Sequence, residues 1–559
     1  MTLRSPLRAA VATAALATFA ACSAPTSTPT PATAPSGPAE SEITAARIAA
    51  HTKILSSDLF EGRAPATRGG NLATTYLATQ LALAGVEPGG DNGTYFQQVP
   101  IVEATVDRSF SLAVPGRTYK YGDDVVAFSG VEEAVVSVRG EVVFVGHGIV
   151  APEQQWNDYA GLDVKGKWVL IMVNDPPAPA DEPNLFGGKA LTYYGRWTYK
   201  FEEAARQGAA GALLIHTDAS ATYPWQVVQS SWTGTQYSLP PAPGAPALGV
   251  KAWMANAAAV DLVKRGGQDL DALRAKASVR GFSAQLLRVS VSATLTQRAA
   301  RRTSPNVIGV VKGTNEQEAV AFTSHWDHFG TKAAAPGDPA DADRIFNGAY
   351  DNATGIAAVL TIAQAVTRAG AKPGRSIYFV FTTAEESGLL GSEYFAAHPP
   401  LPMAKFAANI NIDEANPLGR AKDIALLGSD RSSLGAALAA IAAERGRVVG
   451  VDAHPERGYF FRSDHFPLAK AGVPALSLAE PEQFEGPNAT ALEAKQAAYN
   501  DKDYHQPSDQ FDPAWDFTGA ADDMRLLAAL AWRIAATPVV PTYNDGDQFA
   551  QVRQQVRKQ

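Results

Sequence analysis

The sequence predicts an α/β fold: an open mixed or parallel sheet flanked by helices and interrupted by a smaller β-rich unit. Short apolar runs at Val307–Val311, Ala319–Thr323, Ser376–Thr382, Ala408–Ile412 and Pro474–Leu478 have the length and composition of strands buried on both faces. Helical segments such as Thr354–Arg368 and Ala520–Ala535 alternate with them, the pattern of a sheet covered by helices. Before these runs lies a stretch rich in strand-like segments and in loops carrying Pro and Gly.

In chain order, Met1–Ala21 has Arg4 and Arg8 ahead of an alanine-rich apolar run and small residues. That is the layout of a secretory signal peptide, too short for a spanning helix. Cys22 follows Phe19-Ala20-Ala21. This resembles a bacterial lipobox, with Phe19 where Leu is usual, and implies lipidation of Cys22. The expectation is export across the bacterial inner membrane and a lipid anchor in the cell envelope. Residues 22–40 hold five prolines among Ser, Thr and Ala and read as an extended tether.

Ala45–Leu55 and Asn71–Ala84 carry helical spacing, and Gly85 ends the second helix. Glu141–Val145 and Trp168–Val173 read as strands, Phe201–Gln207 as a short helix ended at Gly208, and Gly211–Ile215 as a further strand-like run. Loops at Asp175–Pro183 and Pro240–Pro246 separate them, and Leu287–Thr296 alternates as a strand does. The resulting division is a domain in two parts, 41–130 and 286–540, around a β-rich insertion with one or two helices at 131–285. The polar segment 541–559 reads as a solvated or frayed tail. Past the leader, no run reaches the ~18 uninterrupted apolar residues of a spanning helix.

Composition narrows the function. The 559 residues allow three or four domains by length alone, which the division above reduces to two. With 46% hydrophobic and 19% charged residues the chain is globular. A net charge of −8 and a pI near 5.7 exclude nucleic acid as a partner, since phosphate binding needs concentrated positive charge. A single cysteine excludes an intrachain disulfide and a thiolate zinc cluster. Chemistry therefore falls to other side chains.

Several predicted strand ends are followed by residues that ligate metals. These are Ser324-His325-Trp326-Asp327-His328, Ala349-Tyr350-Asp351-Asn352, Thr383-Ala384-Glu385-Glu386, Asn411-Ile412-Asp413 and Tyr504-His505. Each has a simpler explanation taken alone. Asp351 or Thr354 can cap the helix that follows, Glu385-Glu386 can be a solvated pair, and His505 a hydrogen-bonded core histidine. Together, two histidines and three carboxylates form the mixed N/O set that suits zinc. Five ligands serve two metal ions when one carboxylate bridges. Two such ions, ~3.5–4 Å apart, hold a nucleophilic water and polarise a carbonyl.

The order His-x-Asp, Asp-Asn, Glu-Glu, Asp, His resembles the M28 family of di-zinc peptidases, which includes bacterial aminopeptidases. Thr383–Ser392 (TAEESGLLGS) is similar to that family's Glu-Glu loop and following helix, and Arg462-Ser463-Asp464-His465 with Ala471–Pro474 to its later loop and strand. Asp58–Arg63 and Tyr76–Pro88 resemble the stretch that opens many members. Gly161–Ile171 and Lys200–Ile215 resemble a protease-associated domain, an insertion found in many members. The resemblance implies two Zn2+ per chain, with His325 and Asp413 on one ion, Glu386 and His505 on the other, and Asp351 bridging. It implies that Glu385 is general base and then general acid, that the Asp327 carboxylate accepts a hydrogen bond from the free ring nitrogen of His325, and that Asp351-Asn352 is a cis peptide. Arg462 and His465 lie where substrate contacts are implied, such as stabilising an oxyanion. Glu414 stands where many members have an apolar residue, which alters the pocket wall. His328 reads equally as a partner of a ligand or as a structural residue. His51, His147, His216, His398 and His454 join no such grouping.

The implied reaction is peptide-bond hydrolysis, foremost by an aminopeptidase releasing N-terminal residues. A carboxypeptidase, dipeptidase or other amidohydrolase shares the same metal chemistry, and a non-catalytic surface receptor on the same scaffold is the reading from another class. An aminopeptidase needs a negative group for the α-ammonium, for which Glu385 and Glu414 are candidates; a carboxypeptidase needs a cation such as Arg462. The chain has no His-Glu-x-x-His and no Gly-x-Ser-x-Gly. The lipobox resemblance is checked by fractionating cells that produce Cys22→Ala. The mature variant is expected to leave the membrane fraction, and continued attachment contradicts lipidation at that residue.

Overall fold

Each apolar run read as a buried strand forms one, and together they build a mixed sheet with its ligand-bearing loops on one side. The protein is described by a computed structural model over residues 37–334 and 339–558, so the expected signal peptide, Cys22 and nearly all of the tether lie outside the described residues. Arg375–Thr382 pairs in parallel with Asn315–His325, which pairs in parallel with Phe406–Asn411, and Ala475–Ala479 continues in the same direction. Asp423–Leu427 turns antiparallel beside Ala475–Ala479, and Val448–Gly450 forms the edge beyond it. Parallel neighbours bring their carboxyl ends to one edge, where open α/β sheets place their functional groups.

The helix Gly355–Thr367 lies against this sheet. Its sequence, GIAAVLTIAQAVT, is apolar on every face, and all but two of its residues are buried. A helix of that kind must be covered on all sides. Ala45–Leu55 and Thr518–Ala536 cover it, and they form one core with the sheet residues Val320, Phe322, Ile377 and Phe379. Arg68–Ala84 packs there too and ends at Gly85, which takes φ 80°, a left-handed turn at little steric cost for glycine.

The inserted unit has its own sheet. Trp168–Met172 sits between Val135–Phe144 and Gly211–His216, all parallel, and Val250–Ala255 follows. More helices occur than the one or two expected: Trp197–Arg206, Trp225–Trp232, Asn256–Arg265 and Leu270–Ala277. The last two are short and parted by Gly266-Gly267, so neither has the length that makes periodicity plain.

Two expectations need correction. The runs Leu287–Thr296 and Val307–Val311 are ends of one strand, Gln285–Val311. Its middle, QRAARRTSPN, is polar and contains Pro305, which hides it from a search for apolar runs, yet it is paired residue by residue with Phe96–Val106. This strand belongs to both sheets, pairing with Val135–Phe144 up to Thr296 and with the main sheet from Gln297 onward. Ser111–Val114 already joins the second sheet. The changeovers thus fall near Asp107 and Gln297, outside the boundaries 130/131 and 285/286. The tail is also not frayed. It ends in the helix Ala550–Lys558, and Tyr543 and Phe549 are buried against Phe460, Phe461 and Phe466. Burying an aromatic ring stabilises by ~1.5–3 kcal/mol, and two rings suffice to dock a segment that is polar on average. No helix among the described residues is long and apolar enough to cross a membrane.

Candidate metal centre

Asp351 is the meeting point of the site. One of its carboxylate oxygens, Oδ1, lies 3.1 Å from His325 Nε2, and the other, Oδ2, lies 3.2 Å from His505 Nε2. His325 Nε2 is also 3.0 Å from Asp413 Oδ1, and His505 Nε2 is 3.1 Å from Glu386 Oε2. The result is two triads of one imidazole and two carboxylates, sharing Asp351. Donors arranged tetrahedrally at ~2.0–2.1 Å from a zinc ion stand ~3.3 Å apart, which these imidazole–carboxylate pairs match. His325, Asp351 and Asp413 cluster closely enough to share one ion, and beside His505 it is His328 that clusters with Asp351 and Glu386. The five ligands implied by the sequence are those the structure brings together.

Each ligand comes from a different loop, and each loop is tied down. His325 ends its strand, and Asp413 follows Phe406–Asn411 by two residues. Glu385 and Glu386 lie in a single tight turn, not in an extended loop; the chain enters it through Ala384 at φ 54°. Asp351 sits in an irregular turn before Gly355–Thr367, with a cis bond to Asn352. Asn352 rather than Asp351 or Thr354 caps the helix: its Oδ1 accepts from Gly355 N at 3.0 Å and also from Glu414 N at 2.9 Å. One amide thereby ties the bridging loop to the Asp413 loop.

Further residues that the sequence did not single out support these loops. Asp509 accepts from the backbone N–H groups of Tyr350 at 2.9 Å and Asp351 at 3.1 Å. Ser463 donates to Asp413 Oδ2 at 2.6 Å. Arg63 is fully buried and spends its guanidinium on backbone carbonyls of Leu55, Trp326, Asn347 and Gly348. It locks the loops carrying His325 and Asp351 together. Gly348 itself has φ 54°, and a Cβ there would lie 2.3 Å from the Asp351 carbonyl, so only glycine fits. Arg63 and Ser463 lay within stretches the resemblance covers, and nothing local marked what they or Asp509 touch.

His328 takes the first of its two readings, and Asp327 departs from expectation. The His328 Nδ1 contacts Glu386 Oε1, the oxygen that faces away from His505. His328 therefore orients a ligand. The Asp327 carboxylate is not the partner of His325: its Oδ1 stands 4.0 Å from His325 Nδ1, and the Asp327 backbone carbonyl takes that contact at 3.1 Å. Asp327 Oδ1 instead accepts from Glu385 N at 3.1 Å, so it positions the loop of the candidate base. Both oxygens belong to the same residue, and sequence spacing cannot choose between them.

Two of the three implied substrate contacts do not face the cleft. His465 is fully buried with its ring against Phe460, 4.7 Å between centroids. Burial pushes it down to about 3, so it is neutral and walled off. Glu414 is half-buried, and its carboxyl lies 3.5 Å from the Tyr499 hydroxyl. Burial drives it well above the usual range, with Asp351 and Glu480 adding to the effect. Arg462 does line a cavity of about 400 Å³ together with Glu385, Glu386 and His505. Its opposite wall, which includes Trp197, Tyr223 and Trp232, comes from the inserted unit. His51, His147, His216, His398 and His454 stay outside the site, and His51, for instance, pairs with the Tyr76 hydroxyl at 2.7 Å.

The electrostatics point to missing positive charge. Burial opposes the charged imidazole of His505, yet Glu386 and Asp351 raise it to about 9. Burial likewise opposes ionisation of Asp351, but the two imidazoles hold it well below its ordinary range. Burial lifts Glu385 well above the usual range, against the pull of His325 and reinforced by Asp413 and Glu386. Burial lifts Asp327 to about 8. Protonated imidazoles here occupy the role of cations, and divalent ions at the same donors would relieve the crowding of carboxylates. The donor set therefore fits zinc.

Residues 306–529 match the family model described as Peptidase family M28. The leupeptin-inactivating enzyme 1 of Streptomyces exfoliatus is 29% identical over 210 residues, 36% of this chain and 45% of that protein. The probable leucine aminopeptidase 2 of Aspergillus oryzae (strain ATCC 42149 / RIB 40) is 34% identical over 110 residues, 20% of this chain and 19% of that protein. The chain thus spans less than half the length of these curated relatives. Among solved structures, an aminopeptidase from Aneurinibacillus sp. strain AM-1 superposes with a TM-score of 0.52 and 18% identity, over 90% of this chain and 96% of that one, which establishes the fold.

One contact crosses from the inserted unit to a ligand. With Nε2 facing the carboxylates, His505 Nδ1 donates to Ser231 Oγ at 3.2 Å, and Ser231 lies on Trp225–Trp232. Such outer contacts fix the ring of a metal-binding histidine and raise its basicity. Ser231→Ala is expected to weaken zinc binding by ~10–100-fold, read by chelator competition. An unchanged zinc affinity contradicts the role.

Proposed function

From membership of peptidase family M28 across residues 306–529, we propose that the protein is a zinc-dependent metallopeptidase, an aminopeptidase that releases N-terminal residues from peptides. The observation that carries this reading is the pair of triads meeting at Asp351. His325, Asp351 and Asp413 would hold one zinc ion, and His505, Asp351 and Glu386 the other. Two ions there would supply a water acidic enough to ionise near neutral pH and a Lewis acid for the scissile carbonyl.

The protein's own residues do the rest. Glu385 lines the same cavity as Glu386 and His505, and its carboxylate also clusters with His325 and Glu386. Its carboxylate accepts the proton of the attacking water and delivers it to the nitrogen of the leaving amine. Asp327 holds the Glu385 backbone, so the carboxyl stays aimed at the cavity. Glu385 and Glu386 on the cavity wall favour a substrate that brings a positive α-ammonium. The aminopeptidase names of the relatives agree with that charge.

The inserted unit is read as a protease-associated domain, and Cys22 as a lipid attachment site that tethers the exported enzyme to the cell envelope. The reading of Glu385 is tested by Glu385→Ala. Turnover of an aminoacyl anilide is expected to fall by at least ~10²–10⁴-fold, the usual share of general acid–base catalysis, while zinc content by elemental analysis stays near that of the parent. Near-parental turnover sinks the assignment of Glu385 as the base.

A further inference from the structure

Arg196 and Arg462 stand on the wall of the cavity that also holds Glu385, Glu386 and His505. Arg196 enters the helix Trp197–Arg206 of the inserted unit, and Arg462 follows the turn Tyr459–Phe461 of the main domain. Neither guanidinium forms an ion pair with a carboxylate among the described residues. Arg462 donates only to neutral acceptors, Thr222 Oγ1 at 2.9 Å and the Arg457 carbonyl at 2.6 Å, and its face covers the Tyr459 ring at 4.9 Å. Among the described residues the Arg196 side chain makes no hydrogen bond, and its covered Nε lacks a partner, as does that of Arg462.

Both side chains are half-buried with the Nε atom of each fully covered, and a covered charged group without a partner is expensive to desolvate. Here two like charges share one wall. Burial depresses Arg196 to about 9, and Arg462 adds to the depression. The carboxylates on the same wall are engaged elsewhere: Glu202 accepts from the Tyr193 hydroxyl at 2.5 Å and faces Arg206 at 3.6 Å, and Lys470 offsets Glu393. Guanidinium groups recognise carboxylates through paired N–H donors. A cavity near 400 Å³ lies at the small end of ligand sites, ~300–1,000 Å³. A carboxylate on this wall therefore belongs to the same small molecule whose scissile bond faces Glu385.

We infer that Arg196 and Arg462 form a carboxylate-binding subsite, which directs the protein to short peptides carrying a carboxylate close to the scissile bond. The inference rests on the peptidase reading above and names its substrate class. The carboxylate is the free C-terminus of a di- or tripeptide or an acidic side chain. The inserted unit contributes one of the two arginines, so the subsite exists only when that unit lies over the cleft.

The test uses the zinc-loaded full chain in the Glu385→Ala background, so that binding is read without turnover. Calorimetric affinities are compared for Leu-Ala and Leu-Ala-NH2, and for Leu-Glu-NH2 and Leu-Gln-NH2. At least one acid of the two pairs is expected to bind about tenfold or more tightly than its neutral counterpart, the size of a charge-assisted hydrogen bond. Preference within the first pair assigns the subsite to the C-terminus, and preference within the second to a side chain. Arg196→Gln and Arg462→Gln are expected to bring the ratio toward one, with Arg196→Lys retaining part of it. Equal affinities within both pairs overturn the subsite, as does an acid preference that survives both Gln variants. If the zinc-loaded parent cleaves no peptide while the acid preference in binding persists, the peptidase reading fails and the subsite stands.

Discussion

Asp351 offers one carboxylate oxygen to each of two imidazoles, 3.1 Å and 3.2 Å away, and the rest of the centre is arranged so that it can. A carboxylate shared in this way must be held in place from behind, because its own two oxygens are committed forward. Asp509 holds the backbone of Tyr350 and Asp351, Asn352 joins that loop to the Asp413 loop, and Arg63 clamps the loop carbonyls around both. The fully apolar helix Gly355–Thr367 begins four residues on and is packed on every side, so the loop is fixed from both ends.

The inserted unit is a wall of the site and not an appendage. Several polar contacts tie it to the main domain around the cleft in addition to the one at His505. Tyr237 donates to the Pro65 carbonyl at 3.0 Å, Lys332 to the Ser230 carbonyl at 2.7 Å, and Arg462 to Thr222 at 2.9 Å. At ~0.5–1.5 kcal/mol net for each bond, the set amounts to a few kcal/mol. The long strand Gln285–Val311, common to both sheets, supplies the covalent continuity along which the two parts stay in register.

Much of this was legible in the sequence, and the physical reasons for success and failure are separable. His325, Glu386 and Asp413 follow apolar strands directly, so a pattern search finds the strand and the ligand together. Asp351 is announced by the helix after it. His505 has no such marker; it lies at φ 58° after the helix Ala489–Lys502, and only the ordered resemblance to a peptidase family picked it out. Asp327 was assigned by its side chain, whereas the carbonyl of the same residue makes the contact. His465 had the right chemistry but is turned into the protein, and half-buried Glu414 meets the Tyr499 hydroxyl and does not line the cavity. Ser231 and Arg196 come from a region distant in sequence, and their place at the cleft follows from tertiary packing alone. The docked tail shows the limit of composition, since Tyr543 and Phe549 decide the outcome among many polar neighbours.

The central claim is that Asp351 organises two metal sites at once. Its most direct test is the zinc stoichiometry of the purified full chain and of Asp351→Asn, measured by elemental analysis after dialysis against metal-free buffer. Two zinc ions per chain in the parent, and loss of both or occupancy well below one in the variant, is the result predicted. A single zinc in the parent, or two retained in Asp351→Asn, would contradict the shared-carboxylate centre.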